Sequence, residues 1–293
     1  MTRRASPTVK RRRVAATLRL LRERAGLTIA EAARQVDHDQ SWLSRIESLE
    51  SGIHPNDVRA LLAVFGVTGD EAEAVVAVAR QARQRGWWVS YGDALPDWFS
   101  NFVGMESDAS AIRTYECQAV PGLLQTMEYA RATIVANPAL RRTEDIDRDV
   151  ALRIDRQALL ANDDPPQLVV VLDEAVLRRA IGGKAIMRAQ IERLLEATEQ
   201  PHIQVQILPF EAGAHAGLNG AFVILDFPPP PEPFPRAADD RVVYTDTLLG
   251  SLYLEQPGEV AAYAAAFEQI RAEALSADRS RQVLHSITKD LTT

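Results

Sequence analysis

Two short amphipathic helices separated by a tight turn are the feature that most constrains this chain. The segment Thr28-Ile29-Ala30-Glu31 has the spacing of a capping box, in which the threonine hydroxyl accepts from the amide of Glu31 and the Glu31 carboxylate accepts from the amide of Thr28. After a short turn, Asp39 is the expected N-cap of a second helix that begins at Gln40. This pattern predicts a helix-turn-helix unit, which is suited to DNA only if its second helix has a polar outer face.

The second helix, residues 40–47, places its apolar and polar residues on opposite faces. On a helical wheel with about 100° per residue, Leu43 and Ile46 face inward, whereas the serines and the arginine face outward. Short outward side chains let a helix enter the major groove deeply enough for an arginine to contact a guanine edge, and a glutamine amide suits adenine. The residues that we predict to contact base edges are Gln40, Ser41, Ser44 and Arg45.

Two other residues of this helix are expected to be structural. DNA would repel an outward Glu47, but the wheel places this residue near the inner side, where Arg22 of the first helix is the best-placed partner. An ion pair between Arg22 and Glu47 would fix the helix on its domain rather than read sequence. Trp42 falls beside Ile46 on the wheel, so we interpret it as half-packed rather than as a base-reading residue.

The charge of the chain is unevenly distributed. The formal net charge is -7, but residues 1–86 contain 15 arginines and lysines against 10 aspartates and glutamates, a local charge of +5. The rest of the chain contains 18 against 30, a charge of -12. We expect a polyanion to bind the N-terminal part, because the distribution of charge rather than its total marks a nucleic-acid-binding surface.

Length and composition indicate a globular protein of more than one domain. The 293 residues are enough for two cores, and 46% hydrophobic with 25% charged residues argues against a disordered chain. The one cysteine, Cys117, cannot form an intramolecular disulfide, and no apolar segment has the length of a secretory signal or a membrane span. These features predict a cytoplasmic protein without a membrane partner.

The periodicity of apolar residues predicts a multidomain chain with two different fold classes. Residues 14–86 are typical of an all-α helix-turn-helix domain of five helices, preceded by a basic disordered arm at residues 1–13. An aromatic-rich junction at residues 87–110 leads to an α+β domain, residues 111–293, with a mixed sheet of about four to five strands. The expected strands are Gln167–Leu172, Ile203–Leu208, Ala221–Phe227, Val242–Tyr244 and Ser251–Glu255.

Three motifs of the N-terminal domain occur together in a known family. They are Leu27-Thr28-x-x-Glu31-Ala32-Ala33, Ser41-x-x-Ser44-Arg45-Ile46-Glu47 and Pro55-x-Asp57-Val58-x-Ala60-Leu61-Leu62. This combination resembles the XRE (Cro/C1-type) helix-turn-helix family, whose base-reading positions correspond here to Gln40, Ser41 and Arg45. The resemblance implies binding to double-stranded DNA, and we expect a homodimer on two half-sites roughly 34 Å apart.

Phosphate contacts are expected to accompany base reading. The candidates in the domain are Thr28, Arg34 and Arg59. The basic arm, with Arg12 and Arg13, either follows the DNA backbone or enters the minor groove; a disordered solubilising tail is the alternative.

Further motifs extend the resemblance beyond the first domain. Among them are Arg85-Gly86-Trp87-Trp88-x-x-Tyr91-Gly92-Asp93, Val120-Pro121-Gly122-Leu123-Leu124-Gln125-Thr126 and Leu252-Tyr253-Leu254-Glu255. Together they resemble the actinobacterial WhiJ-like regulators, which join the DNA-binding domain to a C-terminal domain of unknown function. The resemblance implies a transcriptional regulator and a small acidic partner protein encoded nearby. The alternative function is an antitoxin-like module that sequesters that partner.

Two segments of the chain are candidates for a ligand or partner surface. Trp87, Trp88 and Tyr91 either line a pocket or pack the fifth helix against the second domain. His215 lies in the glycine-rich segment Gly213–Gly220, which could cradle an anion or hold a general base. A β-turn connection with glycines at positive φ is the simpler interpretation of that segment.

An enzyme is not expected from these residues. The Gly182–Ala185 segment lacks the leading glycine and the serine or threonine of a phosphate-binding loop. The five histidines have no zinc-site spacing, and no nucleophile elbow occurs. We therefore predict no catalytic residues, no metal site and no cofactor.

Overall fold

The computed structural model describes residues 7–83, 86–88, 91, 97–136, 146–229, 241–247 and 250–291. They form two compact units. The first unit contains the described residues from Pro7 to Trp88 together with residues 228–229, and the second contains the others. The division along the chain falls between Trp88 and Tyr91, inside the predicted junction of residues 87–110.

The first unit is helical, as predicted. Its helices are α1 (Pro7–Arg24), α2 (Ile29–Arg34), α3 (Gln40–Glu47), α4 (Pro55–Val64) and α5 (Gly69–Gln81). A core of fully buried residues joins these helices, including Leu18 of α1, Leu43 of α3, Leu61 of α4 and Val75 of α5. The inward faces expected from the sequence are therefore the ones that pack.

The prediction of a disordered arm at residues 1–13 is wrong for residues 7–13, which form the first two turns of α1. Residues 1–6 lie outside the described residues. Pro7 suits the first position of a helix, since its missing N–H would have no helical partner there. The Nε of Arg11 donates to the carbonyl of Ala82, 3.3 Å away, and connects this extension to the end of α5. These turns were not predicted as helix because four consecutive cationic residues, 10–13, interrupt the apolar periodicity.

The second unit contains a mixed six-stranded sheet. Its strands are β1 (Ala111–Glu116), β2 (Gln167–Asp173), β3 (Ile203–Leu208), β4 (Phe222–Asp226), β5 (Arg241–Asp246) and β6 (Ser251–Leu254). The strand order is β3-β2-β1-β4-β5-β6; β1, β2 and β3 are parallel, and the remaining pairs are antiparallel. The α+β class with a mixed sheet is confirmed.

The expected number of strands was too low because β1 was not recognised, although it pairs with β2 on one side and β4 on the other. Arg113 and Glu116 interrupt its apolar pattern. The structure accommodates Arg113 by pairing its guanidinium with Asp226 of the neighbouring strand at 2.9 Å. A search for hydrophobic runs does not identify a strand whose charged residue pairs with a residue of the neighbouring strand.

Helices flank the sheet, and the two faces of β1 have different surroundings. Tyr115 belongs to a core that includes Phe267 of the long helix that follows β6, whereas Thr114 and Glu116 point to the opposite side and line a cavity. The helices of this unit are α6 (Asp97–Asp108), α7 (Met127–Val135), α8 (Ile146–Arg156), α9 (Glu174–Arg178), α10 (Lys184–Ala197), α11 (Pro257–Glu273) and α12 (Ala277–Asp290).

Candidate nucleic-acid interface

The capping box at the start of α2 is formed. The Oγ1 of Thr28 accepts from the amide of Glu31 at 3.2 Å, and the amide of Thr28 donates to the Glu31 carboxylate at 2.9 Å. The hydroxyl of Thr28 also donates to that carboxylate, and these bonds lower the pKa of Glu31. Ala32 and Ala33 are then fully buried, which sets the inner face of α2.

Helix α3 begins at the expected N-cap. The Oδ1 of Asp39 accepts from the amide of Trp42 at 2.7 Å. Leu43 is 0% and Ile46 2% exposed, so one face of α3 is anchored in the core of the unit. The cap and the apolar pair together fix where the helix starts and which way it is rotated.

The face of α3 opposite the core is exposed at every predicted base-reading position, namely Gln40, Ser41, Ser44 and Arg45. Two of these residues are joined to the cap. The Ser41 hydroxyl donates to Asp39 at 2.7 Å, and the Nη1 of Arg45 donates to the Ser41 hydroxyl at 3.3 Å. This chain orients the guanidinium along the exposed face. The sequence contained a signal for this arrangement, because Ser41 follows Asp39 by two residues and Arg45 follows Ser41 by four.

The ion pair expected between Arg22 and Glu47 is present. The Nε and Nη2 of Arg22 donate to the two carboxylate oxygens of Glu47 at 2.7 Å and 2.9 Å, a bidentate arrangement. Both side chains are more than nine-tenths buried, and the hydrogen bond to Glu47 raises the pKa of Arg22. Because Arg22 also donates to the carbonyl of Leu27 at 2.8 Å, it connects α1, the entry to α2 and the end of α3.

Trp42 is half-buried and stacks on His38 in the turn before α3, with ring centroids 3.8 Å apart and 10° between the planes. The Nε2 of His38 lies 4.0 Å from the Oδ1 of Asp57 in α4. Sequence reasoning placed Trp42 at the edge of the core but did not identify its partner, because a histidine in a turn has no periodic signal. The stack packs the turn against the helix that follows it.

The predicted phosphate-contacting residues have different surroundings. Thr28 and Arg34 are exposed near the two ends of α2. The guanidinium of Arg59 is held by the carboxylate of Glu73 at 2.6 Å and 2.8 Å, so a phosphate would compete with that ion pair. Arg12 and Arg13 lie in α1, and Arg13 donates to the carbonyl of Pro228.

The residues predicted as a ligand or partner surface are divided between the two units: Trp87 and Trp88 belong to the first, and Tyr91 and His215 belong to the second. Trp87 is 42% exposed, and it meets the buried Trp88 edge to face at 6.1 Å within the first unit. In the second unit, the hydroxyl of Tyr91 donates to Asp155 of α8. His215 lies elsewhere in that unit, and its surroundings are those of a turn.

His215 belongs to a connection in which glycines adopt positive φ, 66° at Gly213 and 116° at Gly220. Its Nδ1 accepts from the amide of Gly217 at 3.1 Å, and its Nε2 lies 3.9 Å from Asp173. The ring of Tyr115 packs so closely on Gly217 that an added Cβ would lie 2.4 Å from it. This geometry favours the β-turn interpretation over an anion cradle.

The described residues contain no group of three or more histidines, cysteines and acidic residues arranged to hold a metal ion. Within the same part of the chain, no helix combines the length and the apolar character needed to cross a membrane.

Comparison with known families assigns both units. Residues 13–75 match a helix-turn-helix domain, which suggests a DNA-binding regulator. Residues 99–286 match a domain of unknown function, DUF5753. No curated protein and no solved structure matches the chain. Because the second match covers more than half of the residues, the chain belongs to the DUF5753 family and carries a helix-turn-helix domain in front of that domain.

Proposed function

We propose that this protein is a sequence-specific transcriptional regulator of the XRE type, related to the actinobacterial WhiJ-like regulators, and that α3 is its recognition helix. One observation carries the proposal. Four short or hydrogen-bonding side chains, Gln40, Ser41, Ser44 and Arg45, form an exposed face on a helix whose other face is buried and pinned by Glu47.

The chemistry of that face suits the major groove. Arg45 has the fork of donors that matches guanine O6 and N7, and Gln40 at the first turn can pair with adenine N6 and N7. The serines are small enough to let the helix enter deeply and can donate to either base edge. Binding would exchange the free-state bond between Ser41 and Arg45 for base contacts.

We assign phosphate contacts to Thr28, Arg34 and the basic first turns of α1 with Arg12 and Arg13. Arg59 would contribute only on release from Glu73. The lone cysteine favours a cytoplasmic protein, and a homodimer would match the two half-sites that helix-turn-helix proteins read about one helical turn apart.

Selection of bound sequences from a randomised double-stranded DNA library, with the full chain at near-physiological salt, tests this function. The expected outcome is an inverted repeat whose half-sites are about one helical turn, or roughly 34 Å, apart. Recovery of unrelated sequences with no common site would contradict sequence-specific binding. If the selected sequences contained a single half-site with no repeat, sequence-specific binding would stand but the homodimer would be rejected.

A second candidate function, an antitoxin-like module that sequesters a small acidic partner, is favoured by one observation. Phe210 and Leu218, 57% and 70% exposed, lie at either end of the connection that contains His215. A protein partner bound to this connection would remove these two apolar side chains from water. We expect Phe210→Ser with Leu218→Ser to abolish co-purification of the neighbouring gene's product while DNA binding by the full chain persists. Unchanged co-purification would exclude this surface.

A further inference from the structure

A cavity of about 240 Å³ lies within the second unit, on the side of β1 opposite its packed core. Thr114 and Glu116 of β1 line it, together with Tyr244 and Asp246 of β5. The volume is below the roughly 300 to 1,000 Å³ typical of sites for drug-sized molecules. The cavity therefore suits a small metabolite rather than a peptide.

Tyr244 provides evidence that the cavity is a binding site. The side chain is 4% exposed, and its hydroxyl is buried with no hydrogen-bond partner among the residues that the structure describes. Its ring packs on Phe102 of α6, with centroids 4.2 Å apart, so the hydroxyl is held in place. Burying a hydroxyl without a partner is unfavourable, and a ligand in the cavity would supply that partner.

The charges that line the cavity favour a cation. Arg156 is neutralised by Glu106, whose carboxylate accepts two hydrogen bonds from it at 2.8 Å and 2.7 Å. Arg153 donates to the side chains of Gln125 and Thr133 at 3.0 Å and 3.1 Å. When all of these groups are ionised, the lining carries three carboxylates and two guanidiniums, a formal net charge of -1. Burial raises the pKa of Asp246 and Arg153 opposes that shift, whereas no cation opposes the raised pKa of Glu116, so Glu116 is the carboxyl group that a ligand cation would pair with.

Glu116 is only partly accessible, and its open part faces the cavity. It accepts a hydrogen bond from the hydroxyl of Thr114 at 3.1 Å. Burial, with a smaller contribution from Asp246, raises the pKa of Glu116 to about 8. Burial away from water disfavours the charged form of a carboxyl group that has no cationic partner, and so raises its pKa. A bound cation would favour the charged form and lower the pKa again.

We propose that this cavity binds a small aromatic amine, with its ammonium group against Glu116 and Asp246, a polar substituent at the hydroxyl of Tyr244 and its ring against Phe102. The proposal rests on the proposed function only in that binding would regulate a DNA-binding protein; the binding itself is independent of DNA. Aromatic and aliphatic side chains, among them Phe99, Val120 and Leu123, supply the apolar wall.

Isothermal titration calorimetry on the full chain without DNA tests the ligand class. Tyramine, p-cresol and 4-hydroxyphenylacetate share a phenol ring and differ at one end, which is cationic, neutral or anionic. We expect tyramine to bind with a Kd of about 1 mM or lower, and the other two at least about tenfold more weakly. Preference for the anion, or no heat with tyramine at about 10 mM, would overturn the proposal.

Two conservative variants locate the site. Glu116→Gln and Tyr244→Phe should each weaken tyramine binding about tenfold or more, which is the scale of one lost charged or buried hydrogen bond. Asp164→Asn removes a carboxylate from an exposed position outside the cavity lining and should bind normally. Melting curves identify variants that do not fold. Normal binding by both cavity variants would place tyramine elsewhere and reject this site.

The pH dependence gives a readout that loss of packing would not produce. Because Glu116 is mostly protonated at pH 7 and the ligand favours its ionised form, binding should release a proton, and tyramine affinity should rise between about pH 6 and 8. The other charged or titratable groups around the cavity are Asp246, Arg153, Glu106, Arg156 and Tyr244. Glu116→Gln should abolish most of the proton release, measured in buffers of different ionisation enthalpy. Equal release from both proteins would exclude Glu116 as the ammonium's partner.

Failure of this binding test and failure of the proposed function are distinguishable. The calorimetric titration contains no DNA, and the selection of DNA sites contains no amine. A chain that selects an operator but does not bind tyramine loses only the inference about the cavity. A chain that binds tyramine but selects no sequence loses only the assignment as a DNA-binding regulator.

Discussion

Arg22 of α1 and Glu47 of α3 form a buried bidentate ion pair, with donor–acceptor distances of 2.7 Å and 2.9 Å. Helix α3 is only eight residues long, too short to be stable in isolation. The pair stabilises the C-terminal end of this short helix, because Glu47 is its last residue. It holds the exposed face of α3 at a fixed rotation relative to α1.

Loss of one partner of this pair should be more harmful than loss of both. Glu47→Ala leaves the Arg22 charge buried, and we expect it to lower the local stability by about 3 kcal/mol. Arg22→Met with Glu47→Leu should recover much of that loss, since apolar side chains of similar volume avoid the desolvation cost. Hydrogen exchange of the α1 and α3 amides in low urea measures both effects. A double variant less stable than Glu47→Ala would contradict this account.

Arg45→Ala should weaken binding to the selected operator by about 1 to 3 kcal/mol and relax specificity at one base position. Arg80→Ala, which removes an exposed arginine from α5, is the matched control for the loss of charge. Affinities for the operator and for single-base variants of it are measured by fluorescence anisotropy. An equal loss on every sequence would identify Arg45 as a phosphate-contacting residue.

Trp42→Phe should leave the selected DNA sequence unchanged. The ring of Trp42 stacks on His38 and packs beside the core, so its contribution is to the position of the turn rather than to base recognition. Phenylalanine retains a ring for that stack. The measurement is a repeat of the site selection with the variant. A new preferred base at one position would show that Trp42 contacts DNA.

The start of α3 should weaken in acid. Hydrogen bonds from Ser41 and from the amide of Trp42 lower the pKa of Asp39 below its usual value of 3.8. Because the folded-state pKa is the lower one, the stabilisation is complete above pH 3.8 and is lost as the pH falls through the folded-state value. The protection factors of the α3 amides, which correct for the intrinsic exchange rate at each pH, should fall over that window in the wild type. Asp39→Asn, a non-titrating cap, should show a smaller change; an equal change would exclude Asp39 as its source.

Gly217→Ala should destabilise the second unit by about 1 to 3 kcal/mol, the usual range for overpacking. The new methyl group would lie 2.4 Å from the buried ring of Tyr115, which cannot move without disturbing the core around Phe267. Gly258→Ala is the matched control, since nothing lies within 4 Å of an added Cβ there. Thermal melting of the two variants should differ. Equal melting temperatures would show that the Tyr115 ring adapts.

The sequence by itself determined the local structure of the first unit. The capping box at Thr28, the cap at Asp39 and the inward pair Leu43 and Ile46 follow from spacing alone, because each involves residues within one turn of a helix. The placement of Glu47 on the wheel also identified Arg22 as its partner. Five of the six strands and the mixed α+β class followed from the pattern of apolar and β-branched residues in the same way, with boundaries within two residues of those expected.

Only the tertiary structure decided the features that join distant residues. The central strand β1 has a charged, interrupted pattern that becomes favourable when Asp226 of β4 lies beside Arg113. The helical start at Pro7 is joined to the end of α5 by the contact between Arg11 and Ala82, 71 residues away. The cavity lined by Glu116 and Tyr244 likewise forms only because β1 and β5 lie on the same sheet with those residues on one face. The spacing of residues along the sequence predicts contacts within one helix or strand. Contacts across the sheet depend on register and strand order, which local sequence patterns do not specify.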